Sequence, residues 1–353
     1  MSSKTDKNLQ STRKSLWENN QGAGNFLSPG ILSAARLAGI ASKTDRFRTP
    51  QPFTVPGHSN FQSSGKLLLQ QGNIFKDYVI ARCLSPSSLT FLAVPETNAE
   101  LQNNPDSAVL QLFPRPDKAE DFLLLMKKLS AVSSLQTAET RVTPEILSWG
   151  LDDSGYCYII TKYVEQPSLE YFIQAKAPLN EHKALFTIYK TAEKLDQAYS
   201  QWGPHGRLTP SKILFAMKKP LFLLNMGLMP HFVKERDTVF PKETFFYSSP
   251  EYITGGEISW QSDMYSLGII FYRLLTGVLP FYADTAEAQK KAHLQETLPP
   301  VSGKNLPVKI STLTQEILDK MTRKDPAERF SSRLELLEAL IKADEALPQE
   351  LKE

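Results

Sequence analysis

At 353 residues the chain can fill one two-lobed domain, or two small ones, with a sizeable buried core. Apolar residues make up 41% and charged residues 22%, the balance of an ordinary soluble protein; a net charge of +2, with no basic stripe interleaved with aromatics, argues against nucleic acid as a partner. Two cysteines, Cys83 and Cys157, are too few for a disulfide framework or a cysteine-built zinc site, and two buried free thiols in a reducing compartment are expected. Residues 1–65 are rich in Ser, Asn, Gln, Gly and Pro and end on Pro50, Pro52 and Pro56. That composition buries too little apolar surface to offset chain entropy, so it predicts a disordered tail, Ile31 to Ile40 included.

From 66 the pattern changes to short strand-like runs. Strands are expected at Tyr78 to Leu84, Leu89 to Val94 and Ala108 to Phe113, then a helix from Lys118 to Leu135. Two more strands follow, Ile146 to Leu151 and Tyr156 to Val164, joined by the turn residues Asp152, Asp153, Ser154 and Gly155. Beyond Gln166 helices dominate, at Ser168 to Ala175, Glu181 to Gln201, Ser262 to Thr276, Leu313 to Arg323 and Ser331 to Ala343. Strands first and helices afterwards predict an α+β fold or two unlike lobes; the division expected is 66–163 and 164–345, with 346–353 as a short tail. The longest apolar run, Leu267 to Leu275, is broken by Gly268 and Arg273 and falls short of a bilayer span. With no signal-like start, the expected location is cytoplasmic.

Four elements in order carry a resemblance to bacterial Ser/Thr protein kinases. Thr244, Tyr247, Ser249, Pro250 and Glu251 resemble the end of that family's activation segment. Asp263-Met264-Tyr265-Ser266-Leu267-Gly268 resembles the start of its buried central helix, and Leu274-Leu275-Thr276-Gly277 with Pro280-Phe281 its end and exit. Asp325-Pro326-Ala327-Glu328-Arg329-Phe330 resembles the last conserved element. The resemblance implies a two-lobed kinase-like fold and a buried Glu251–Arg329 ion pair. Asp263, at a helix start, is suited to accept backbone N–H groups, and Gly277 to cap the helix's other end.

The family's catalytic loop has the form H-R-D-L-x-x-x-N and its metal loop D-F-G. Here they fall on His205-Gly206-Arg207-Leu208-Thr209-Pro210-Ser211-Lys212 and on Asn225-Met226-Gly227, with 225 − 207 = 18 positions between. The chemical residues are replaced. Arg207 stands where an Asp would accept the substrate proton, and an arginine cannot. Lys212 replaces the metal-binding Asn, Asn225 the metal-binding Asp, and Thr209 a catalytic-loop Lys. In the first lobe Gln111 occupies the place of the phosphate-gripping Lys. Between Tyr78 and Val94 there is no glycine for a phosphate loop, only the turn Ser85-Pro86-Ser87-Ser88. No Glu falls clearly at the helix position that would pair with that Lys; Glu120 and Asp121 lie near it.

The resemblance with these replacements implies a pseudokinase, a protein-binding scaffold or allosteric regulator with no catalytic residues, no metal and no required cofactor. Its partners would be proteins, an active kinase among the candidates, and neither nucleic acid nor membrane. Thr161, lining the adenine pocket, and Tyr163 and Glu165 at the hinge leave room for weak ATP binding without magnesium, with Gln111 and Asn225 beside it. Arg207 and Lys212 could hold phosphate themselves, although cations that are solvated or paired with a local acid are the commoner case. Two other functions compete: an active Ser/Thr kinase or other ATP-dependent transferase with relocated residues, and an exported effector with residues 1–65 as its export tail. Thr244 is expected to be structural rather than a phosphorylation site, because Gly206 replaces the Arg that would pair with the phosphate, and Thr238 is the other candidate in that segment.

Overall fold

The computed structural model describes residues 69–85, 89–98, 104–116, 118–135, 141–153, 155–216, 219–226, 242–301 and 309–352. The sequence expectations for 1–65, for the turn at 86–88, for Ser154, Gly227 and Thr238, and for Glu353 lie outside these residues. The first lobe is a six-stranded antiparallel sheet built from β1 (Ile74–Phe75), β2 (Tyr78–Ser85), β3 (Thr90–Pro95), β4 (Ala108–Pro114), β5 (Ile146–Leu151) and β6 (Tyr156–Lys162). The strands lie in the order β1-β2-β3-β4-β6-β5. Helix α1 (Ala119–Leu135) packs on the face that also carries Phe113, Cys157 and Ile159.

Alternation explains the two sides of this sheet. On β4, Ala108, Leu110 and Leu112 join Ile80, Phe91 and Ile160 in a small core on one face. The intervening residues Val109, Gln111 and Phe113 pair across β6 with Thr161, Ile159 and Cys157, on the opposite face. The β5–β6 turn is closed by Asp152, whose carboxylate accepts the Tyr156 amide at 2.7 Å while its carbonyl accepts the Gly155 amide at 3.1 Å. Asp152 is thus a turn residue. Cys157 is buried, but Cys83 is only half-buried, correcting the expectation of two buried thiols. Its position on β2, near the sheet's edge, leaves it partly open.

Residues after 163 form the helical lobe. It contains α2 (Leu169–Lys176), α3 (Glu181–Trp202), a two-stranded ribbon of β7 (Ile213–Leu214) and β8 (Phe222–Leu223), α4 (Pro250–Thr254), α5 (Trp260–Thr276), α6 (Ala286–Gln295), α7 (Thr312–Met321) and α8 (Arg333–Glu345). Helix α5 is the axis of the lobe. Every residue from Ser262 to Tyr272 is buried, so it is wrapped on all sides, as its all-round apolar sequence requires. Each fully buried large apolar side chain here contributes about 1.5–3 kcal/mol of transfer free energy before chain entropy is charged. Ser259 and Ser262 form a capping box at its start, and Gly277, at φ 79°, closes its end. Among the described residues no helix is long and apolar enough to cross a membrane.

Gly268 of α5 packs tightly against the C-terminal end of α7. A Cβ there would stand 2.7 Å from Thr322 Cγ2 and 3.1 Å from Met321 Cβ. Gly268→Ala is therefore expected to cost about 1–3 kcal/mol through overpacking, although alanine is the better helix former. Denaturant unfolding of the variant checks this; a stability equal to wild type would show that α7 yields freely.

Candidate functional site: the interlobe cleft

The cleft is built on a hydrogen-bond knot between two loops and the start of α5. His205 is fully buried. Its backbone N–H donates to Asp263 Oδ2 at 2.6 Å, and the Gly206 N–H donates to Asp263 Oδ1 at 2.8 Å. Asp263 lies in the first turn of α5, but its carboxylate serves the loop before it in sequence rather than its own helix. Ser259 caps the helix instead, which corrects half of the sequence reading. Burial pushes the Asp263 carboxyl up to about 7, with the two amide bonds pulling the other way.

The His205 ring spans both loops. Nε2 lies 2.9 Å from the Leu224 carbonyl, and Nδ1 accepts the Arg207 N–H at 3.3 Å. One nitrogen must donate and the other accept, so the imidazole is neutral with its proton on Nε2. Burial, reinforced by the nearby charges of Lys212 and Arg207, depresses its pKa to about 3 in agreement. The Leu224 amide then donates to the Lys212 carbonyl at 2.8 Å. The backbones at Arg207, at Lys212 and at Leu224, the residue before Asn225, are tied together in this way. Asn225 sits at φ 62°, a left-handed conformation that asparagine tolerates better than most residues.

Neither the Arg207 guanidinium nor the Lys212 ammonium is hydrogen-bonded or ion-paired to any described residue. Lys212 is half-buried as a residue, yet burial of its ammonium, with Arg207's charge added, lowers its pKa to about 7. Thr209 points its hydroxyl to Ser211, 2.9 Å away. Among the described residues no three His, Cys, Asp or Glu side chains come together to hold a metal. The donors at the family's metal positions, an ammonium and a neutral amide beside a guanidinium, do not suit magnesium, which takes hard and preferably anionic oxygen.

Across the cleft, Gln111 lies on the same sheet face as its β6 neighbour Ile159, with Thr161 opposite Val109 one step along. The hinge backbone is partly committed. The Tyr163 N–H donates to the Ser107 carbonyl at 2.9 Å, and the Gln166 N–H donates to the Val164 carbonyl at 2.8 Å. Glu165's carbonyl lies 3.4 Å from Lys219 Nζ. Glu120 and Asp121 occupy the first turn of α1, with Glu120 exposed. The inward stripe of α1 runs through Leu125, Leu129 and Val132, and it carries Lys128. That ammonium donates to the Trp202 carbonyl at the end of α3. A cation at a helix C-terminus is favourable, and it links α1 to the stretch leading into His205. Sequence reading did not single out Lys128, because its partner is 74 residues away.

Two ion pairs anchor the surroundings. Arg329, with no side-chain exposure, meets Glu251 at 2.8 and 3.0 Å in a two-pronged pair, and also donates to the carbonyls of Gln261, Arg323 and Lys324. Burial pushes the Glu251 carboxyl up, but the Arg329 hydrogen bonds and charge outweigh it and hold it below the ordinary value. Arg273 likewise grips Glu170 at 2.7 and 2.9 Å and donates to the Tyr247 hydroxyl. This joins α2, α5 and the segment before α4, a network that sequence spacing could not disclose. Thr244 lies in the turn at Lys242–Phe245, where its carbonyl accepts the Ser248 hydroxyl at 3.1 Å.

A family model described as the protein kinase domain matches residues 136–342. The serine/threonine-protein kinase PrkC of Bacillus subtilis is 31% identical over 214 residues, covering 59% of this chain and 32% of that protein. The serine/threonine-protein kinase drp72 of Corynebacterium efficiens is 25% identical over 268 residues, 75% of this chain and 50% of that protein. The probable serine/threonine-protein kinase PknB of Lactococcus lactis is 29% identical over 184 residues, 51% of this chain and 29% of that protein. The chain thus spans half or less of the length of these relatives.

Proposed function

This chain belongs to the protein kinase family, and on that premise we propose that it is a pseudokinase, a kinase-like domain that binds a protein partner as a scaffold or allosteric regulator without transferring phosphate. The observation that carries the reading is the cleft's charge. Where a proton acceptor and two metal ligands are required for phosphoryl transfer, the chain places Arg207, Lys212 and Asn225. A guanidinium accepts no proton, and two neighbouring cations oppose a divalent ion. The groups that hold the loops in place, His205, Asp263, Glu251 and Arg329, are present and bonded. Such a cleft keeps a kinase's shape as a surface for partners, an active kinase among the candidates, in a cytoplasmic setting.

The relatives' names support a second reading, an active Ser/Thr kinase with relocated catalytic groups. One assay decides between them. Purified protein incubated with γ-labelled ATP, magnesium and a generic Ser/Thr substrate is expected to give no transfer above a no-protein control. The triple variant Arg207→Asp, Lys212→Asn, Asn225→Asp, run beside it, restores the missing donor types. Magnesium-dependent transfer by the unaltered protein would sink the pseudokinase reading.

A further inference from the structure

We propose that Arg207 and Lys212 form a metal-free phosphoryl-binding site, in which the two side chains replace magnesium as the counter-charge to a polyphosphate. This deepens the pseudokinase reading and rests on its view of the cleft. Three observations support it. First, the backbones that carry the two cations are tied into one knot: Arg207's amide is fixed to the His205 ring, and Lys212's carbonyl to the Leu224 amide, whose carbonyl the same ring meets. Second, neither cation has an acid or hydrogen-bond partner among the described residues, while Arg273, Arg329, Arg333 and Lys320 in the same lobe all have one. Third, the like charges act on each other at close enough range that Arg207 adds to the burial depressing Lys212's ammonium.

Two half-buried cations that repel each other and have no acid partner among the described residues cost stability, and an anion bound to both relieves that cost. A phosphate offers what they need, several acceptor oxygens with negative charge spread over them, and a guanidinium binds it through two parallel N–H bonds. Asn225 at its left-handed turn adds a neutral amide that can donate to the same oxygens. The sequence view that these cations are solvated or paired with a local acid is thereby revised on one point: no described acid pairs with them.

Isothermal titration calorimetry on the full chain tests the site with pyrophosphate, ATP and adenosine as probes, each in EDTA and in excess magnesium. Pyrophosphate and ATP are expected to bind in EDTA and adenosine not at all. Magnesium should weaken the binding about tenfold or more, because a chelated phosphate has lost the charge the cations seek. Equal affinity for both probes would identify free phosphates as the ligand class, and tighter ATP binding a nucleotide. Arg207→Ala and Lys212→Met should each weaken binding about tenfold or more. Lys212→Met should melt no lower than wild type without ligand, which separates loss of the site from loss of the fold, and Lys212→Arg should retain binding.

No binding of either probe at millimolar concentration would overturn the proposal, as would ATP binding that requires magnesium or adenosine binding as tight as ATP. Absent binding, or adenosine binding as tight as ATP, leaves the pseudokinase reading standing, whereas magnesium-dependent ATP binding would also count against the charge argument behind it; phosphate transfer alone overturns that reading outright.

Discussion

Glu251→Gln is expected to lower the unfolding free energy by about 3–5 kcal/mol. The reason is the partner left behind. Arg329's side chain has no exposure, and its two contacts with Glu251 at 2.8 and 3.0 Å supply its neutralising charge. A neutral amide accepts one of those bonds and turns N–H groups toward the other, leaving a buried guanidinium uncompensated. Arg329→Met should cost a similar amount by stranding the carboxylate and by freeing the carbonyls of Gln261, Arg323 and Lys324 that Arg329 also satisfies. The double variant should lose clearly less than the sum of the singles, with a coupling of about 2 kcal/mol or more, since the second change removes the stranded charge. Urea unfolding of the four proteins measures this cycle. Singles within about 1 kcal/mol of wild type would mean that the pair is far better solvated than its geometry implies.

The same pair shows how far sequence reaches in this molecule. Glu251 and Arg329 were legible because each sits in a short run of recognisable neighbours, Ser249-Pro250-Glu251 and Asp325 to Phe330. The strands were legible as short apolar runs bounded by turn residues: β5 begins and ends where its run does, at Ile146 and Leu151, although burial does not alternate along it. Helix α6 was not, because its buried residues are Gln289, Ala292 and His293, which draw no apolar stripe. Gln289 is buried by virtue of bonds to the Phe281 carbonyl and the Ala283 amide, a tertiary arrangement that no local pattern encodes. Long-range polar contacts fail for the same reason: the bond from Lys128 to Trp202 and that from Arg273 to Glu170 join residues 74 and 103 positions apart. In the candidate site, residue types were readable but pairing was not. Arg207 and Lys212 could be named from the motif, whereas the absence of an acid beside them among the described residues is a property of the tertiary fold.

Asp263→Asn is the second large effect, and its pH dependence identifies its cause. The carboxylate accepts one amide on each oxygen, from His205 and from Gly206. An asparagine has only one oxygen, so its NH2 group must face one of those N–H donors. The loss of one accepted bond and the stranding of a buried N–H together cost about 2–4 kcal/mol. Two groups in this knot titrate with opposite signs. Asp263's carboxyl, raised to about 7 in the folded protein from about 3.9 in the unfolded chain, contributes stability that is complete below pH 4 and is lost as pH rises toward 7. His205's imidazole, lowered to about 3 from about 6.5, contributes stability that is complete above pH 6.5 and is lost as pH falls toward 3. In the wild type the two slopes oppose each other between about pH 4 and 6.5 and largely cancel. Asp263→Asn removes one of them. The variant should therefore lose stability steadily on acidification through that window while the wild type stays comparatively flat, so that the gap between them is wider at pH 5 than at pH 8. Chemical unfolding at both pH values reads this directly. A gap that widens toward pH 8 instead would show that Asp263 is ionised throughout and that the two amide bonds outweigh its burial.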